Sequence, residues 1–381
     1  MMRFLERERE TLREFLPGLD DALTATSLNS LESPGSPVSP GIASFREARG
    51  PGLIVPTDLD GVGASPLDAL RVQRAIGSRS PSLAVATTMH HFSVASLLAV
   101  SDSAGGMEWM LVQAIAKDNL LLASGFAEGR PGGQILAPTM TATPTADGIL
   151  VSGVKRPCSL ARSMDLLTAS VSVPRPDGQG EQLAVALIPA KGPGVSIAPF
   201  WSTFALAGAE SDQVTLTDVF VPADLIVPTD VVEGEQLDRI QNVGFLWFEL
   251  LMIGAYLGAT SALVERVLAS ERVSEAERLS LLVPIEGAMS AAENLARQLA
   301  ADQDSRRLLV DALLVRYAVQ DAIAVVTPKA VELLGGLSFI SSSDVGYLAA
   351  AVNGLCFHPP ARAKMAGPLL DYFAGMPLAI A

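Results

Sequence analysis

The stretch NVGFLWFELLMIGAYLGATSALV, residues 242 to 264, constrains the chain more than any other. It is long enough to span a bilayer and apolar all round, so a helix made of it must lie in lipid or at the centre of a protein core. Glu249 near its middle and the absence of a basic flank argue for the core. A helix buried on every side needs neighbours, which predicts a helical bundle around it and no membrane partner. The chain can supply them: 49% of its 381 residues are hydrophobic and 18% charged, enough for a large core shared by two or three structural units.

Residues 1 to 24 have helical spacing, and TATSLNSLESPGSPVSPGIASF is a Ser/Pro-rich loop whose prolines preclude a continuous helix. Helical spacing then resumes, with loop breaks, to about residue 120. Short runs rich in Val, Ile, Leu and Thr follow, separated by Asp-Gly, Pro-Asp-Gly and Gly-Pro turn signals, and they predict a small antiparallel sheet domain. Long helical patterns return after it. The expected architecture is therefore α+β: an N-terminal helical domain over 1–122, a middle β-sheet domain over 123–228 and a C-terminal four-helix bundle over 229–381.

Charge and residue types exclude several classes. With 41 acidic against 27 basic residues the net charge is −14, which disfavours a nucleic-acid partner. The three histidines and two cysteines show no zinc-site spacing, so no metal is expected. The cysteines lie far apart and the charged first residues do not read as a secretory signal, so a cytoplasmic protein with free thiols is expected.

Three motifs carry a family resemblance. ADGILVSGVKRPCSLARSMDLL, PGVSIAPFWSTFALAGAESDQVTLTDVFVPADLI and AVELLGGLSF follow in order on two strand regions and a helix end. Together they resemble the acyl-CoA dehydrogenase superfamily of flavoproteins over nearly the whole chain. The resemblance implies FAD as cofactor and a homodimer or homotetramer. It places the flavin-contacting hydroxyl on Ser159, and Pro157 where the family has an aromatic. FAEGRPGG matches a cofactor loop whose two hydroxyl positions are Ala127 and Gly133 here, leaving the backbone amides of Phe126, Ala127 and Gly133 to make the contacts. Gly335 and Gly336 correspond to a turn that meets the adenosine end of FAD on a neighbouring subunit, and Arg272, or else Arg278, to an arginine that grips its pyrophosphate.

One departure decides the chemistry. The position of the family's usual catalytic glutamate is Pro359, which cannot take a proton, although dehydrogenation of an acyl thioester needs a base within reach. Glu249 matches, within one residue, an alternative position for that base, and burial among aromatics would raise its pKa as neutral-pH catalysis requires. His358 is the second candidate, because imidazole titrates near neutrality. The leading expectation is an FAD-dependent oxidation of an acyl or keto substrate, free or carrier-tethered, in natural-product metabolism. Two alternatives stand beside it: a flavin-dependent monooxygenase, which needs a water-excluding pocket more than a base, or a related builder of epoxyketone groups; and a non-catalytic member that binds without flavin.

Overall fold

The structure, a computed structural model, describes residues 3–35, 38–104, 108–129, 138–175, 180–228, 239–301 and 305–380. Seven helices come first: α1 (Glu6–Phe15), α2 (Leu19–Ala25), α3 (Leu28–Glu32), α4 (Pro40–Glu47), α5 (Pro66–Arg79), α6 (Pro81–Ala104) and α7 (Glu108–Lys117). Eight strands follow: β1 (Leu122–Gly125), β2 (Thr141–Pro144), β3 (Gly148–Cys158), β4 (Leu166–Pro174), β5 (Glu181–Pro189), β6 (Val195–Ala198), β7 (Asp212–Pro222) and β8 (Ile226–Pro228). The chain closes with α8 (Arg239–Leu268), α9 (Glu275–Ala300), α10 (Ser305–Ser341), α11 (Ser343–Ala351) and α12 (Arg362–Phe373).

Local chemistry sets several of these ends. Ser65 and Ser274 each begin a helix with a reciprocal capping box, using Asp68 and Glu277, which satisfies amides the first turn would leave unpaired. Within α10, Gly335 departs from helical geometry at φ 80°, a conformation glycine adopts without penalty.

The strands form two four-stranded sheets, ordered β1-β4-β5-β8 and β2-β3-β7-β6. The expectation of a wholly antiparallel domain needs correction, because β1 pairs with β4 in parallel, from Leu122 opposite Leu166 to Gly125 opposite Ala169. The reason is topological: β2 and β3 go to the other sheet, so the chain returns to β1's neighbour by a crossover rather than a hairpin.

Helix α8 is the centre of the molecule. It packs on α5 and α6 from the N-terminal region and on α9 and α10 from its own, and α12 packs on α10 through Val310, Leu313 and Tyr317 against Met365 and Leu369. Three helices are long and apolar enough to cross a membrane; in α8 83% of the apolar window is buried inside the chain, so its perimeter is met by protein. Backbones approach closely where α5 crosses α8: a Cβ on Gly258 would stand 2.3 Å from the Arg74 carbonyl oxygen, and one on Gly77 2.3 Å from that of Ala255. Gly258→Ala must therefore part the two helices, and denaturant titration is expected to show a loss of about 1–3 kcal/mol. An unchanged midpoint would mean that this crossing is loose.

Candidate active site

The C-terminal ends of β1 and β3 meet α6, the first turns of α8 and the loop after α11 around a cavity of about 200 Å³. From α6 come Met89, Phe92 and Ser96, and from α8 Gly244, Phe245 and Phe248. The sheets add Ser124 from β1, Phe126 and Ala127 just after it, Pro157 and Ser159 at the end of β3, and Trp201 and Ser211 near β7. His358 and Pro359 close the wall from the C-terminal side. Gly244 admits α6 closely, since a Cβ there would lie 2.4 Å from Ser96 Oγ.

Aromatic rings run through this wall in sequence. Phe92 lies 5.9 Å from Phe126 and 5.7 Å, edge-on, from Phe248; Phe248 is 6.1 Å from His358, which is 5.7 Å from Tyr256. Edge-to-face pairs of this kind fix ring orientation as well as burying area.

His358 is held from behind. Its Nε2 lies 2.8 Å from the Tyr256 hydroxyl, and Tyr256 is 1% exposed with no other partner for that hydroxyl among the described residues. If the hydroxyl accepted from Nε2–H, its own proton would be buried unpaired, so it donates, and the ring proton sits on Nδ1. Burial, aided by the nearby Arg316 charge, holds His358 down to about 3, and burial raises the Tyr256 phenol well above its ordinary value. The imidazole is held neutral, with Nε2 engaged by the Tyr256 hydroxyl.

The loop that carries His358 hangs from α10. Arg316 Nη2 donates to the carbonyls of Leu355 (3.1 Å) and His358 (2.5 Å), and Nη1 to that of Pro359 (3.2 Å). Tyr317 and Gln320 add bonds to the carbonyls of Pro360 and Leu355. The Arg316 charge is met by Glu249, whose oxygens lie 2.8 and 3.1 Å from Nη1, with both side chains at 0% exposure. Burial pushes the Glu249 carboxyl up to about 7 against the pull of Arg316. Glu249 is not among the residues lining the cavity.

On the sheet side, Ser159 Oγ lies 2.9 Å from Ser211 Oγ. Lys155, fully buried, donates to Glu128 at 2.9 Å and Ser170 at 3.0 Å, and Glu128 also accepts from the Thr139 amide. That ion pair ties the strand carrying Pro157 to the loop carrying Ala127, whose carbonyl accepts from the Arg156 amide at 2.8 Å.

The structure thus brings Phe126, Ala127, Ser159 and His358 together at one cavity and sets Glu249 behind it. Gly133 lies outside the described residues. Arg272 is exposed in the turn after α8, which runs on from Phe248 to Leu268, about 30 Å at 1.5 Å per residue. Gly335 and Gly336 sit at the break in α10 with nothing within 4 Å of their added Cβ positions. These three positions do not line the cavity of their own chain. Sequence reasoning missed Arg316, Tyr256, Lys155, Phe92 and Phe248. His90 and His91 pack in the core: the His90 Nδ1 accepts from the Leu122 amide at 3.1 Å, so Nε2 donates to the Pro51 carbonyl at 2.9 Å. Both cysteines are free, Cys158 buried and Cys356 exposed.

No family model matches the chain. The isobutylamine N-hydroxylase of Streptomyces viridifaciens is 44% identical over 382 residues, covering 100% of both chains. Among solved structures, a nitrososynthase from Micromonospora carbonacea var. africana superposes with a TM-score of 0.81 at 18% identity, covering 98% of this chain and 99% of that one. The methanesulfinate monooxygenase MsuC from Pseudomonas fluorescens gives 0.77 at 18% identity over 100% and 99%, and FMN-bound TdsC from Paenibacillus sp. A11-2 gives 0.77 at 17% over 99% of each. At these identities the structural likenesses speak for the fold.

Proposed function

The chain belongs to the family of the isobutylamine N-hydroxylase, within the acyl-CoA dehydrogenase superfamily of flavin enzymes, and from that membership we propose that it is a flavin-dependent monooxygenase transferring one oxygen atom to the nitrogen of a small aliphatic amine. The observation that carries this reading is the cavity lining, which among the described residues contains no carboxylate and no group free to accept a proton. Acyl dehydrogenation needs such a base, whereas oxygen transfer needs water kept out. In this reading the acyl or keto substrate expected from the sequence, free or carrier-tethered, gives way to an amine, and Glu249 serves as counter-ion to Arg316 rather than as base.

The residues present fit a flavin. Phe126, Pro157 and Trp201 offer flat apolar walls, Ser159 and Ser211 a hydroxyl edge, and Arg156, beside the loop at Ala127, keeps a buried Nε without a partner among the described residues. Phe126, Ala127 and Ser159 would hold it. Bound and reduced, flavin supplies two electrons to O₂, so that one oxygen atom enters the substrate and the other leaves as water. The chain's own groups would orient and enclose it: Ser159 would offer its hydroxyl to the ring, His358, with Nε2 held by Tyr256, would contribute a neutral imidazole to the wall, and Phe92 and Phe248 would bound the space left for an alkyl group.

The test is to supply the protein with reduced FMN or FAD from an NADH-dependent flavin reductase, with isobutylamine and ¹⁸O₂. A hydroxylamine carrying one ¹⁸O is the expected product. Desaturation of an acyl thioester with an artificial electron acceptor under anaerobic conditions would overturn the reading, and a protein that cannot be reconstituted with flavin, oxidised or reduced, would favour a binding role. Phe248→Ala opens the wall, and the preference for 2-ethylbutylamine over isobutylamine, as a ratio of kcat/KM, is expected to rise about tenfold or more.

Self-association belongs to the same proposal. Beyond the break at Gly335, Leu337 and Ile340 are 75% and 83% exposed, a large apolar surface for one helix end. A second copy would cover it, and Arg272, Gly335 and Gly336 would meet a cofactor only across such an interface. Light scattering is expected to give a dimer or tetramer, and Ile340→Asp a smaller species; a wild-type monomer with tightly held flavin would refute this.

A further inference from the structure

We infer that the cavity takes its amine as the uncharged free base, and that none of the described side chains removes the ammonium proton within the site. This rests on the reading of the site as an amine oxygenase and adds the charge state it selects. An alkylamine has a pKa of about 10.4, as a lysine side chain does, so near neutrality all but about one molecule in a thousand is a cation. A cation enters a dry apolar cavity only against a counter-charge.

The cavity offers none among the described residues. Its polar lining consists of the hydroxyls of Ser93, Ser96, Ser124, Ser159, Thr168 and Ser211, the Gln241 amide, the Trp201 indole and His358. The carboxylates described behind the wall are already engaged. From α8, Glu249 is bound by Arg316 of α10. From the sheet side, Glu128 is bound by Lys155 and Thr139, Glu210 by the Ser39 amide and the Ser163 hydroxyl, and Asp212 by the Phe200 amide and Arg162. The titratable group of this lining, His358, faces Tyr256 and Arg316, and its Nε2 is occupied by the tyrosine hydroxyl, which leaves an N–H and no lone pair on the ring nitrogen left for the cavity. Burial keeps that ring neutral, so it does not acquire a proton to hand back.

The chemistry has the same requirement. The new N–O bond is made with the nitrogen lone pair, which an ammonium has already given to its proton. The balanced change is R–NH₂ + O₂ + 2e⁻ + 2H⁺ → R–NHOH + H₂O, with electrons from reduced flavin. Deprotonation therefore takes place in bulk water before entry, and an apolar cavity with hydroxyls is built to accept what results.

Calorimetric titration of the flavin-loaded protein with isobutylamine at pH 6.5 and 8.5 tests this, with isobutanol as a probe of the same skeleton that carries no charge at either pH. The dissociation constant for total amine is expected to fall about a hundredfold across those two units, in step with the free-base fraction, while that for isobutanol stays constant. An amine affinity equal at the two pH values, or stronger at 6.5, overturns the inference. Product formation is measured separately in the same samples: binding that follows the free base without any hydroxylamine would remove the assigned function and leave the charge selection standing.

Discussion

Arg316→Met is expected to cost the fold about 3–5 kcal/mol, because it leaves the Glu249 carboxyl buried without its partner and strips donors from three carbonyls of the loop that carries His358. The informative comparison is the double variant Arg316→Met with Glu249→Met. Replacing both members of a buried pair by apolar chains of similar length is often neutral for stability, so the double variant should recover the share of the lost denaturation midpoint that the unpaired carboxyl costs, while the His358 and Pro359 carbonyls stay without their donor. It should not recover turnover. Without the guanidinium the carbonyls of Leu355, His358 and Pro359 lose the anchor that sets where the imidazole stands, and a displacement near 1 Å at a reacting group is worth roughly a hundredfold in rate. Stability and kcat/KM thus separate within a single cycle formed by the two single variants and the double one. A double variant restored in both would show that the pair does nothing for the site.

Acid is expected to unfold this protein through its histidines. Burial lowers His90 to about 4, lowers His91 well below its ordinary value, with His90 adding to the effect, and lowers His358 to about 3. The unfolded chain takes a proton at each near 6.5 while the folded chain refuses it. The stability they contribute is therefore fully present above about 6.5 and lost as pH falls below it, at about 1.4 kcal/mol per pH unit per histidine. Glu32 and Glu249 act in the opposite sense, since burial raises both and the folded state accepts their protons first. The clean measurement is consequently a difference. His91 has no partner at either ring nitrogen among the described residues, so His91→Leu removes one refused proton without breaking a bond. Its stability by denaturant titration should match or exceed the parent at pH 7 and lead by about 2 kcal/mol at pH 5. Parallel curves for the two proteins would exclude the mechanism.

Much of the fold is legible in local patterns. The all-round apolar run that forms α8 announces a surrounded helix, and the turn signals bracket strands that run from Leu122 to Pro228. The parallel pairing of β1 with β4 is not legible, because register between strands some forty residues apart leaves no mark in either. The site divides in the same way. Ser159, Phe126 and Ala127 reach the cavity, where the family resemblance puts a flavin, and so does His358, beside the position of the family's glutamate. Arg316 does leave a signal: it falls at helical spacing between the buried Leu309 and Leu313 on one side and Gln320 and Ile323 on the other, an arginine on a core stripe. Tyr256 likewise stands two turns after Glu249 on α8. What each of them touches lies many dozens of residues away, so their partners become visible only in three dimensions.

The central position of α8 also bears on how the chain is made. Helices α5 and α6 leave the ribosome early, yet the apolar face they present is covered by a helix that begins at Arg239. At about 5–20 residues per second, synthesis of the sheet region between Ala104 and Arg239 keeps that face waiting for on the order of ten seconds. Through this interval the apolar face of α5 and α6 that α8 will cover has no neighbour from its own chain, and it closes only when that helix is translated.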